Sequence, residues 1–296
     1  MAQFGPVLTA MVTPFDDSGA LDLDRAQGLA RHLVANGNDG VVVAGTTGEA
    51  PTLTTDEQVE LFAAVREALP NHAVIAGTGS NDTRSAIANT QGATAAGVDG
   101  VLVVTPYYNR PSQAGLEAHF TAVAAATDKP VVLYDIPIRT GRKIETDTLL
   151  RLAEIDNIVA VKDAAGDPAE TASLLAKVDG ALEVYSGDDS LTLPFLSVGG
   201  VGVIGVATHW IGQMMSDMIT AYSKGQVAEA IALNAAMIPS FDYEAMPDAP
   251  NPVPSKAMMN LLGVPVGQCR PPMGPEPDDL ADRARAVLAG LGRSVA

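Results

Sequence analysis

One cysteine, one tryptophan and an aromatic content of 4% set the first limits on this chain of 296 residues. Cys269 has no second cysteine to bridge to, so an intrachain disulfide is excluded, and a buried or incidental thiol in a reducing compartment is expected. Basic residues are scarce. The 18 Lys and Arg face 35 Asp and Glu, a net charge of -17 that argues against nucleic acid and acidic membrane surfaces as partners. Small anionic substrates stay open, because a few local cations can dominate a pocket. No apolar run reaches the roughly 18 residues that a bilayer span needs. The first residues, Met1-Ala2-Gln3-Phe4-Gly5-Pro6, show neither a basic n-region nor an h-region, so no secretory signal and a cytoplasmic location are expected. His32, His72, His119 and His209 are scattered without metal spacing, and no Ser-His-Asp arrangement is evident. Neither a metal nor an organic cofactor is expected.

What is abundant is apolar material, 47% of the chain, in a repeating order. A β-rich run, a loop and an amphipathic helical stretch recur. Strands are expected over 7–15, 40–45, 73–77, 100–105, 131–136, 158–164, 182–186 and 201–206. Helices follow over 22–36, 55–69, 82–96, 112–126, 146–155, 168–177, 191–198 and 211–223. Thr54 and Thr55, with Glu57 and Gln58, are capping candidates for the second helix. Near-continuous apolar strands between helices imply a parallel sheet covered on both faces. Eight such units imply an α/β fold, a closed (β/α)8 TIM barrel, over 1–225, with a doubly wound open sheet as the competing architecture. The remainder, 226–296, reads as a C-terminal helical extension over 227–238, 255–262 and 278–291. Pro252, Pro254, Pro271, Pro272, Pro275 and Pro277 interrupt it between helices.

In such a barrel, chemistry collects at the carboxyl ends of the strands. Lys162 closes the apolar run Ile158-Val159-Ala160-Val161, and strand periodicity puts Ile158, Ala160, Lys162 and Ala164 on one face. A lysine there is either an edge residue whose stem reaches water or an amine held in a water-poor pocket, where desolvation frees it to attack a carbonyl. Its expected neighbours favour the second. Gly45-Thr46-Thr47-Gly48-Glu49 offers hydroxyls and turn amides able to hold a carboxylate and pass a proton, or forms a plain connecting turn. Tyr134 ends the fifth strand beside the lysine strand. Arg139, just after it, is either a solvated cation or a fork for a substrate carboxylate. Gly200-Val201-Gly202-Val203-Ile204-Gly205 matches G-x-G-x-x-G, but it follows a helix and is itself a strand, the reverse of a dinucleotide site. Met214, Met215 and Met218 read as packing residues.

Gly45-Thr46-Thr47-Gly48-Glu49, Tyr134-Asp135-Ile136-Pro137 and Val161-Lys162-Asp163 together resemble the pyruvate-dependent class I aldolase family, over essentially the whole chain. Thr105-Pro106-Tyr107-Tyr108-Asn109-Arg110-Pro111, Arg139-Thr140-Gly141 and Ser186-Gly187-Asp188-Asp189 look like its dihydrodipicolinate synthase branch. The resemblance implies condensation of pyruvate with L-aspartate 4-semialdehyde. Lys162 would form the imine, Tyr134 would give and take protons, and Thr46 would link Tyr134 to a second tyrosine donated by a neighbouring subunit. Of Tyr107 and Tyr108, the second is assigned that role. Thr47 and the backbone of Ile204 would hold pyruvate with Gly187 beside it, and Arg139 would bind the second carboxylate. The resemblance further implies a homo-oligomer, a dimer for the site and a tetramer overall. The alternative is a related aldolase acting on a sugar acid or a 4-hydroxy-2-oxo acid. Asp135 and Ile138 depart from the usual Asn and Ser. The resemblance also implies an effector pocket for lysine at Ala50, Pro51, Thr55, Gln58, Asn81, Ser85 and Tyr107. Ser85 replaces a glutamate there, and Thr55 and Gln58 replace histidines, so weak inhibition by lysine is expected.

Overall fold

The computed structural model describes residues 2–293, so Met1 and the last residues of the expected extension, 294–296, lie outside it. Eight short strands pair in sequence order and close on themselves: β1 Val7–Ala10, β2 Gly40–Val43, β3 Ala73–Gly77, β4 Gly100–Val104, β5 Val131–Asp135, β6 Ile158–Asp163, β7 Glu183–Ser186 and β8 Gly202–Gly205. Every pairing is parallel, and β1 meets β8 at Val7↔Val203 and Leu8↔Ile204. The open-sheet alternative is thereby excluded. Side chains alternate as a doubly covered parallel strand requires. Leu8, Val42, Ile75, Leu102 and Val132 fill the interior, while Val41, Val43, Val101 and Val131 pack outward against helices.

The helices are α1 Leu23–Ala35, α2 Thr55–Ala68, α3 Thr83–Ala95, α4 Gln113–Ala124, α5 Pro137–Thr140, α6 Thr146–Leu152, α7 Pro168–Val178, α8 Thr192–Ser197 and α9 Thr208–Ser223. Their starts are chemically marked. Asp22, Asp82, Ser112 and Asp167 each accept a backbone N–H of the following turn, and Thr54 with Glu57 forms a full capping box on α2. The one-turn helix α5 was not expected; Pro137 opens it and Gly141, at φ 72°, ends it.

Three expectations need correction. Strand β1 ends at Ala10 rather than at 15, because the N–H of Val12 turns to His209 Nε2 at 3.1 Å and leaves the ladder. Ile158 does not share the Lys162 face. A bulge moves the register from Val131↔Ile158 to Val132↔Ala160, so Ile158 joins the outer core while Ala160 faces the interior. Pro254 does not separate helices. It lies in the first turn of α11 (Val253–Leu261, after α10 Val227–Glu244), where its missing N–H has no partner to lose.

The chain from 226 onward packs α10, α11 and α12 (Leu280–Gly290) against α9 through Trp210, Met215, Met218, Phe241 and Met258. Trp210 meets Tyr243 edge-on at 5.9 Å and donates to Ser240 Oγ at 3.0 Å. Two polar ties fasten this segment to the loop after β2 and to the first turn of α2. Lys256 Nζ lies 2.6 Å from Glu49 Oε1 with both side chains closed off from solvent. Arg270 holds Glu57 with both guanidinium ends, at 3.1 and 2.6 Å. Both cations also lie over the Phe15 ring, each 4.2 Å from its centre. Among the described residues no helix is long and apolar enough to cross a membrane.

Candidate active site

Parallel pairing places Tyr134 of β5 directly against Lys162 of β6, at the carboxyl end of the barrel. Counting by two from Val132 and Ala160, both side chains enter the interior, and the Lys162 amine sits 4.4 Å from the Tyr134 ring centre. Lys162 is only 3% exposed. Burial pushes its amine down to about 8, against the carboxyls of Asp189 and Glu244, which push it up, and with Arg139 pushing it further down. The snorkelling alternative is therefore excluded. Near pH 8 about half of such amines are neutral and nucleophilic. Burial also raises the Tyr134 phenol above its ordinary range, with the Thr46 hydroxyl hydrogen-bonded to it as a smaller opposing effect. Tyr134 is thus a held proton, available to a nearby base or oxyanion.

Glycine shapes the floor. A Cβ at Gly187 would come within 3.1 Å of the Lys162 stem and 2.8 Å of Ala164 Cβ, so only glycine lets β7 pass this close to the amine. Ile204 is buried on β8, and Thr47 is buried in the turn after β2, where its Oγ1 accepts from Asn251 Nδ2 at 2.9 Å. Thr46, Tyr134 and the exposed Arg139 line one cavity of about 420 Å³ that continues outward past Ala50, Gln58 and Ser85. All eight expected site residues therefore lie at one end of the barrel, on six different strand ends. Tyr108 alone points outward. Its ring is 90% exposed and its φ is 73°, so the loop after β4 turns this side chain away from its own barrel interior.

Motif reading gave no role to Asp189 and Glu244, which face the amine from outside the strand pattern. Asp189 stands in the quoted stretch Ser186-Gly187-Asp188-Asp189, but only its burial signals a role. Glu244 comes from the end of α10 and has no local signature. His209 is the second missed group. Burial lowers it to about 4, so the ring is neutral, with Nε2 accepting from Val12 and Nδ1 donating to Val206 O at 2.7 Å. Among the described residues no cluster could hold a metal ion.

Asp135, beside Tyr134, is also buried. Burial raises it from 3.8 to about 7, assisted by Asp163, its register partner on β6, and opposed by the Ile144 N–H at 3.2 Å. A carboxyl whose folded value is raised binds its proton more tightly when folded, so stability is full below about pH 4 and is lost as pH rises towards 7. Asp135→Asn keeps an acceptor for Ile144 and removes the charge. Urea unfolding at pH 8 is expected to show Asp135→Asn roughly 2–4 kcal/mol more stable than the parent. That gap narrows as pH falls towards 5; a pH-independent difference would exclude the titration as its cause.

The sequence matches the model of the dihydrodipicolinate synthetase family over residues 3–290. The chain belongs to that family. A 4-hydroxy-tetrahydrodipicolinate synthase from Parasynechococcus marenigrum is 51% identical over 97% of this chain and 95% of its own length. A dihydrodipicolinate synthase from Bacillus anthracis, at 43% identity, superposes with a TM-score of 0.94 over 98% of this chain and 99% of its own. The family member from Cyanidioschyzon merolae, solved with lysine bound, gives the same TM-score at 43% identity, with 98% of each chain covered.

Proposed function

We propose that this chain is a 4-hydroxy-tetrahydrodipicolinate synthase, condensing pyruvate with L-aspartate 4-semialdehyde through a Schiff base on Lys162. The observation that carries the reading is the buried amine of Lys162, held near its neutral form beside Tyr134. The neutral amine adds to the ketone of pyruvate, and one amine proton passes to the carbonyl oxygen. A second proton, from Tyr134, lets that oxygen leave as water and leaves an iminium on Nζ. Loss of a methyl proton to the Tyr134 oxygen gives the enamine, which attacks the aldehyde. The product amine then cyclises onto the imine carbon and displaces Lys162. Thr46 relays protons from Tyr134. Thr47, the Ile204 backbone and the open space at Gly187 hold pyruvate, and Arg139 at the mouth takes the carboxylate of the aldehyde substrate. No step calls on a metal or cofactor. Initial rates on pyruvate with aspartate semialdehyde, against a panel of sugar acids and 4-hydroxy-2-oxo acids, test the assignment; a sugar acid turned over faster would overturn it.

The exposure of Tyr108 supports a site completed by a second copy of this chain in a dimer; a tetramer overall and a cytoplasmic location belong to the same reading. Residues 1–225 supply the groups that touch substrate, and the helical extension that begins at 226 braces them through Asn251 and Lys256. Tyr108→Phe is expected to slow turnover by about 10²–10⁴-fold with the fold retained. Full activity in Tyr108→Phe together with a crippled Tyr107→Phe would assign the relay to the other tyrosine.

The same cavity bears on regulation. At the position that the resemblance gives to a glutamate of a lysine pocket, this chain has Ser85, whose Oγ donates to Asp82 Oδ2 at 2.7 Å. Asp82 Oδ2 is engaged as the cap of α3, and the Ser85 hydroxyl carries no charge to pair with the ammonium of an effector. L-lysine at limiting pyruvate is expected to half-inhibit only above about 1 mM, an affinity weaker than roughly 4 kcal/mol. Half-inhibition in the micromolar range would show the pocket intact.

A further inference from the structure

Asp189 and Glu244 act on the Lys162 amine from two separate elements, one from the loop after β7 and one from the last turn of α10. Asp189 is 1% exposed. Its Oδ2 accepts the Val206 N–H at 2.7 Å, while Oδ1 has no donor among the described residues. A Cβ at Gly205 would come within 2.4 Å of that Oδ1, so glycine leaves the space it occupies. Glu244 Oε2 is likewise buried without a donor. Yet the two carboxyls are within hydrogen-bonding reach of each other, which is favourable only with a proton between them.

We propose that Asp189 and Glu244 form a proton-sharing carboxyl pair that places a single negative charge beside Lys162, with Glu244 as the positioning residue that carries the proton. This rests on the Schiff-base reading of Lys162. Dehydration of the adduct leaves a cation on Nζ in an apolar interior, and such a charge needs a partner there. Two full negative charges would instead hold the lysine as ammonium, unable to attack. One shared proton sits between these extremes. Burial raises both carboxyls, but Asp189 accepts the Val206 N–H, which favours its anion, and Glu244 Oε2 has no such donor among the described residues, which makes Glu244 the proton carrier. The other charged groups facing the pair are Asp188, which acts on both carboxyls, and Arg139, which acts on Lys162 from α5.

Two measurements on the whole enzyme test this. Infrared difference spectra at neutral pH, parent minus Glu244→Gln, are expected to show the loss of one protonated-carboxyl C=O band beside that of Asp135, which remains; a spectrum unchanged by that substitution overturns the shared proton. The second is the pH dependence of borohydride trapping with pyruvate. Asp189→Asn removes the anion, and is expected to move the acid limb down by at least about half a pH unit, roughly threefold in proton affinity. Its plateau rate should also fall at least about tenfold. Glu244→Gln, which still offers Asp189 a donor, is expected to shift the limb less. An unmoved limb in Asp189→Asn, or a larger shift in Glu244→Gln, overturns the proposal. Should Asp189→Asn fail to fold, the infrared comparison decides alone. Failure of the parent enzyme to trap pyruvate would instead remove the Schiff-base reading, and the infrared band still reports on the pair.

Discussion

Lys162→Ala is expected to reduce turnover by roughly 10⁴–10⁶-fold, as loss of a covalent nucleophile does, while the barrel still folds. The amine lies among the interior residues of β5 to β8, and among the described residues no salt bridge includes it. Its buried charge is, if anything, unfavourable to folding, since burial drives the amine towards its neutral form. Lys162→Arg makes the point more sharply. A guanidinium fills the same space but does not deprotonate in a protein, so it cannot attack a ketone. Steady-state rates with melting curves on both variants check this. Appreciable turnover by Lys162→Arg would contradict nucleophilic catalysis at this position.

Lys256 has the opposite character. Lys256→Met is expected to destabilise the protein by about 3–5 kcal/mol, because it leaves Glu49 charged and uncompensated in the interior. Glu49 already stands at φ 55°, a conformation that its surroundings must hold. It also accepts the Arg270 N–H at 2.8 Å. Removing both charges, in Glu49→Gln with Lys256→Met, is expected to recover most of the loss, since a buried pair contributes little over an apolar replacement. Urea midpoints of the single and double variants measure this. A single variant within about 1 kcal/mol of the parent would show the pair to be solvated.

The barrel was legible because each parallel strand, covered on both faces, writes itself as an apolar run between helical patterns. The lysine, the tyrosine and the Thr46-Thr47 turn were legible because they fall where those runs stop. What the sequence hid were events that periodicity does not record. The bulge at Val159 inserts one residue and moves Ile158 to the outer face while leaving Lys162 inside. Strand β1 ends early because a histidine far along the chain takes one of its N–H groups. Glu244 and Asn251 enter the site from the C-terminal extension, by packing that no local spacing encodes. Lys256 was open to notice: it stands in Val253-Pro254-Ser255-Lys256-Ala257-Met258-Met259, as isolated among apolar neighbours as Lys162 is. Its partner Glu49 was in plain view at the end of the threonine turn. Asp135 was visible as a departure from the family, but its raised affinity for a proton comes from burial, with Asp163 across the ladder adding to it.

The central claim is that Lys162 and no other lysine forms the covalent bond to pyruvate. Incubation with pyruvate and borohydride, followed by peptide mass analysis, tests it most directly. The account predicts one reduced adduct, on the peptide that contains Lys162, and none in Lys162→Ala. An adduct on another lysine, or no adduct at all, would contradict it.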